Sequence, residues 1–72
     1  MVELKQMYRV EPEFARSGAF SAVAMVGTVA YIHPKGHFAT LEFEGFHGKA
    51  RESFRLEDLT EKNRILEKMR TI

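Results

Sequence analysis

The chain has no cysteine. That excludes disulfides, thiolate metal sites and cysteine nucleophiles together, and it fits a reducing compartment. Long apolar runs are also missing. The longest weakly polar stretch, AFSAVAMVGTVAYI at residues 19 to 32, is too short for a bilayer, which takes about 20 apolar residues. The start, MVELKQMYRVEPEF, lacks a basic region followed by an apolar one, so no signal peptide is expected. Charge of one sign is not in excess either. The net charge of +1 supplies no global field toward nucleic acid or membrane, so any such attraction must come from local distribution. Repeats, low-complexity segments and linkers are absent, as are G-x-S-x-G, H-E-x-x-H and P-loop signatures. These absences point to a non-enzymatic cytoplasmic protein with no cofactor and no membrane partner.

What is present is a short globular pattern. A chain of 72 residues holds one domain, residues 1–72, and buries only about 60% of its unfolded surface, so its stability margin is thin. Hydrophobic residues at 44% against 29% charged argue for a packed core over disorder. Val2, Leu4, Tyr8 and Val10 recur at period two, with Gln6 as the exception, and predict a first strand over about 2–10. Pro12 could open a single helical turn that Gly18 closes. A β-prone run over 19–33 contains Gly27, which reads as a bulge or sharp bend. His33-Pro34-Lys35-Gly36 reads as a turn. Strands follow over 37–44 and 49–56, separated by the turn Gly45-Phe46-His47-Gly48. After residue 56 the period changes. Asp58 with Glu61 fits a capping box, with Thr60 as the alternative N-cap, and Ile65, Leu66, Met69 and Ile72 form an apolar stripe, predicting a helix over about 59–70.

Tight turns fix the register of both hairpins. In the second, Glu44 falls opposite Lys49, Glu42 opposite Arg51, Thr40 opposite Ser53 and Phe38 opposite Arg55. Two acid–base pairs result, and a slip of one residue would destroy both. In the first, Ile32 falls opposite His37, Ala30 opposite Ala39, Thr28 opposite Leu41 and Val26 opposite Phe43. One face then holds Val26, Thr28, Ala30, Ile32, Ala39, Leu41, Phe43, Ala50, Phe54 and Leu56 as core. Glu52 is its misfit, expected at an edge or paired with a base. The other face holds Val29, Tyr31, Phe38, Thr40, Glu42, Arg51, Ser53 and Arg55.

That second face mixes rings with cations. Aromatic rings on a sheet stack on unpaired bases while Arg and Lys neutralise phosphates, the arrangement of single-strand binders. Tyr31, Phe38, Arg51 and Arg55 form the candidate platform for RNA or single-stranded DNA, with Lys35, His37 and Lys49 at the rim. The plainer alternative covers Tyr31 and Phe38 with the N-terminal strand, leaves Arg51 to Glu42 and lays Arg55 along a ring. His33, His37 and His47 do not make a zinc site, because the register sends His33 and His37 to opposite faces. Glu52, if buried, is the one carboxylate that could support an enzymatic reading. A protein-interaction or regulatory module is the competing function, acting through a sheet edge or the helix stripe, with homodimerisation as one form of it.

The stretch GTVAYIHPKGHFATLEFEG followed by GKARESFRLEDL resembles the strand pattern of small SH3-like barrels, the group that includes KOW-type ribosome and polymerase modules. It is also similar to short uncharacterised proteins of bacteria and phages with a recurring pattern, here Tyr31-Ile32-His33-Pro34, Phe38, Glu42-Phe43 and Arg51-Glu52-Ser53-Phe54. The resemblance implies a mainly β fold, a small antiparallel SH3-like barrel of four to five strands with a C-terminal α-helix. Such barrels bind RNA, DNA or protein.

Overall fold

The computed structural model describes residues 1–15, 23–45 and 48–65. Its elements are β1 (Met7–Val10), β2 (Met25–Ile32), β3 (Phe38–Gly45), β4 (Gly48–Arg55) and β5 (Arg64–Ile65), with 3-10 turns at Glu13–Ala15 and Leu56–Asp58. All pairings are antiparallel, and the strands lie in the order β4-β3-β2-β1-β5. The sheet is mainly a meander and stays open, with β4 and β5 at its edges.

The core collects on one face. Tyr8, Val29, Ala39, Leu41, Phe43 and Leu59 are buried, and Val10, Met25, Ile32, Phe54 and Leu56 pack partly buried against them. Phe43 is the hub. Phe14 meets it edge-on at 5.2 Å between centroids, and Phe54 does so at 6.3 Å. Its third contact is the bare backbone of Gly27. A Cβ built on Gly27 would lie 2.5 Å from Phe43 Cε2, far inside van der Waals contact. Gly27 therefore provides a flat seat for a ring; it is not the bulge.

The bulge lies three residues on. Val29 pairs with Leu41 but Tyr31 pairs with Thr40, so Ala30 is the extra residue in β2. Gly27 and Val29 point into the core, and so does Ile32. An unbroken strand cannot place residues 27, 29 and 32 on one face, because side chains alternate. One inserted residue resolves the conflict. This corrects the expected face: Val26 is 43% exposed and Ala30 is exposed, whereas Val29 is 1% exposed. The turn was also expected to be too tight. His33 N–H donates to Phe38 O at 2.9 Å and Ile32 pairs with Ala39, so residues 34–37 form the loop, with Gly36 at φ 73. The second hairpin is as expected. Glu44, Glu42, Thr40 and Phe38 pair with Lys49, Arg51, Ser53 and Arg55.

Both ends of the chain differ from their sequence expectations. The first strand is only Met7–Val10. Ahead of it, Gln6 N–H donates to Glu3 O, and Lys5 adopts φ 72. Gln6, the apparent flaw in the pattern, accepts from Tyr8 Oη at 2.9 Å. Over 59–65 the expected helix does not form. Leu59 is buried, residues 60–63 turn, and Arg64 and Ile65 pair with Tyr8 and Met7. Asp58 takes Arg55 as its partner and caps nothing. Helical propensity is a weak preference, and here β1 offers an open edge while the core accepts Leu59. Leu66, Met69 and Ile72 lie outside the described residues, as do 19–22 of the expected second strand.

Glu52 faces the core side of edge strand β4. Its carboxylate accepts Glu13 N–H at 2.8 Å and Phe14 N–H at 3.3 Å. A carboxylate at the start of a 3-10 turn satisfies amides that have no partner within the turn. Glu52 therefore sits at an edge, as expected, but its partners are backbone amides and not a base. Through Phe14 it also holds a wall of the Phe43 site.

Three outcomes test this packing. Gly27→Ala should cost about 1–3 kcal/mol in urea unfolding, since the Phe43 ring is enclosed. The same substitution should cost less in a Phe43→Leu background, where the ring is gone. Glu52→Ala should cost about 1 kcal/mol, the usual loss for a cap, and should speed hydrogen exchange at the Glu13 and Phe14 amides. Tyr8 gives a pH signature. Burial raises its phenol pKa above the usual value of about 10, Glu61 and Glu3 add to the rise, and Arg64 opposes it. The folded state thus favours the neutral phenol. Its stabilising share is complete below about pH 10 and is lost as pH rises through the higher folded value. Unfolding midpoints measured from pH 8 upward, as ordinary titration practice allows, should fall at alkaline pH more steeply in the native chain than in Tyr8→Phe.

Candidate nucleic-acid interface

The face opposite the core is built from the outward residues of β2, β3 and β4. Downstream of the Ala30 bulge, β2 turns Tyr31 and His33 outward beside Phe38 of β3. Tyr31 and Phe38 lie 6.0 Å apart between centroids, tilted by 42°. His33 lies 4.9 Å from Phe38 and 4.8 Å from His37. Four rings thus form one row at the β2–β3 end. Tyr31 is 45% exposed. The N-terminal strand does not cover the row, because β1 lies beside β2 within the sheet. The covering strand of that alternative is therefore not found, whereas its Arg51–Glu42 pair is.

The histidines were expected on opposite faces, and the structure brings them together. The longer loop shifts the register by two residues and frees His37 from the ladder to stack on His33. His33 Nδ1 accepts Lys35 N–H at 3.1 Å. His47 lies outside the described residues, and among them no three metal-ligating side chains cluster.

The cations are present but mostly engaged. Glu42 receives Arg51 at 3.1 Å and Lys49 at 3.8 Å. Arg55 reaches Glu57 at 3.2 Å and Asp58 at 3.4 Å, and does not lie along a ring. These arginines and Lys49 are 61–72% exposed, so such pairs hold them weakly. Lys35 has no acidic partner among the described residues. Thr40 and Ser53 close the middle of the face with a 2.9 Å hydroxyl contact. Five of the six predicted residues, Tyr31, Phe38, Lys49, Arg51 and Arg55, share this side, and Lys35 stands in the adjoining loop. Tyr31 and Phe38 meet at the loop end, Arg55 lies opposite Phe38, and Arg51 and Lys49 gather around Glu42.

Sequence reasoning missed His33 in the aromatic row and the reach of Lys49 to Glu42 instead of to the facing Glu44. The Glu42–Arg51 pairing was visible from the hairpin register, but the His33 position depended on the loop. No helix among the described residues is long and apolar enough to cross a membrane. Comparisons with protein-family models, curated proteins and solved structures find no match for this chain.

Proposed function

We infer that this chain is a non-enzymatic binding module of SH3-like, KOW-like type that takes single-stranded nucleic acid on its outer face. The observation that carries the reading is the row of exposed Tyr31 with half-buried His33 and Phe38. Solvent-facing rings cost hydration free energy and supply π faces on which any base can stack. The strand order β4-β3-β2-β1-β5 and the bulge that bends β2 support the SH3-like part of the reading. Tyr31 and Phe38 stack the bases. Lys35 meets a phosphate directly, and Arg55, Arg51 and Lys49 do so by leaving their carboxylates. Stacking therefore dominates over charge. The dimer reading loses its helix stripe, since Ile65 pairs with Met7 in β5.

The test is titration of a mixed-sequence oligonucleotide of about eight nucleotides, within the range such sites cover, followed by amide NMR at several salt concentrations. Shifts should centre on Tyr31, His33 and Phe38. Tyr31→Ala and Phe38→Ala should each weaken binding by about 1–3 kcal/mol. The salt slope should be shallow, about −0.7 for each phosphate met and equivalent to one or two of them. Absence of shifts at low salt would retire the reading. A slope worth four phosphates would transfer the role from the rings to the cations.

A further inference from the structure

β4 is an outer edge of the sheet, and among the described residues no backbone bond from beyond β3 reaches it. A free antiparallel edge presents N–H and C=O groups to an incoming strand. Proteins blunt such edges with lysine and with inward-pointing charges, and β4 has both. Lys49, Arg51 and Arg55 stand on its outer face, and Glu52 points inward to the Glu13 and Phe14 amides. This blunting is selective. A second copy of β4 would bring like charges against like, which is unfavourable across a strand pair. A strand with carboxylates at alternate positions would meet opposite charges. Lys49 and Arg51 share the one Glu42 carboxylate, so N–H donors remain free on both.

A second feature lies on the inner side of the same edge. A cavity of about 820 Å³ adjoins Gly48 to Ala50. Among the described residues its apolar walls are Phe14, Val23, Met25 and Ala50, with Glu44 and Lys49 at its rim. Phe14 and Val23 are 46% and 40% exposed, an open apolar surface beside an open ladder. In antiparallel pairing, opposed residues share a face. A side chain set opposite Ala50 would therefore point toward this cavity.

We propose that β4 is a docking edge for an extended acidic peptide, added as a sixth strand. Its acidic residues alternate opposite Lys49, Arg51 and Arg55, and a large apolar residue opposite Ala50 enters the cavity. This edge shares Lys49, Arg51 and Arg55 with the proposed nucleic-acid face but not its aromatic row, and it takes a protein segment on the backbone ladder. The backbone ladder supplies affinity, and the alternation of carboxylate and apolar side chain supplies the choice of partner.

The probe is an end-blocked peptide alternating Glu and Leu, about the eight-residue length of β4, titrated into the whole chain by amide NMR. Amides of Lys49, Arg51, Ser53 and Arg55 should shift and exchange more slowly, with further shifts at Phe14 and Met25. The same peptide with its pairing-edge amides methylated should not bind. Lys49→Glu with Arg51→Glu should bind it about tenfold more weakly, as two reversed cross-strand pairs imply, and should accept a Lys–Leu peptide instead. Val23→Lys, on the exposed cavity wall, tests the apolar pocket if the double variant does not fold, and should also weaken binding. Unchanged affinity of the methylated peptide would overturn strand addition. So would no binding, shifts confined to Tyr31 and Phe38, or free protein already paired through β4 with its own copy.

Discussion

The seating of the Phe43 ring on Gly27 fixes the rest of this sheet. A ring 1% exposed at the hub of the core tolerates only hydrogen on the residue beneath it. Gly27 must therefore face inward, and Val29 faces inward with it. Ile32 packs on the same core from the far end of β2. These three positions conflict in parity, and Ala30 absorbs the conflict as a bulge. Every residue beyond Ala30 is displaced by one step relative to an unbroken strand. That step puts Tyr31 and His33 on the outer face beside Phe38. The aromatic row is thus a consequence of core packing one strand away.

A second constraint acts from the edge. Glu52 lies among apolar neighbours yet reaches the amides of a turn 39 residues earlier in the chain. This contact holds Phe14 against Phe43 and places both beside the cavity at the β4 edge. The two faces of β4 therefore have different tasks. The inner one holds the 3-10 turn at Glu13–Ala15, and the outer one presents a row of cations. Glu42 stands between Arg51 and Lys49 and pairs with both.

The β3–β4 hairpin was readable because its loop is tight and its charges are complementary. Glu42 opposite Arg51 and Glu44 opposite Lys49 reject any other register, so local sequence suffices. The β2–β3 hairpin was not readable to the same depth. Its turn residues allow a four-residue loop as well as a tighter one, and nothing in GTVAYI announces an extra residue. Tyr31 and Phe38 share the outer face in either register, so their proximity did not depend on the loop. His33 and His37 were separated on paper because only the longer loop lets them stack.

By itself the sequence determined a mainly β chain, the register of its second hairpin, the core identities of Ala39, Leu41 and Phe43, and the aromatic and basic residues of one face. Those features follow from period-two alternation and from pairs close in sequence. Tertiary structure alone decided the bulge at Ala30, the capture of Glu52 by distant amides and the choice of strand over helix at Arg64–Ile65. Each of these depends on a partner more than ten residues away, a ring, a turn or an open edge. The groups that settle them are not neighbours in the chain and meet only once the sheet has formed.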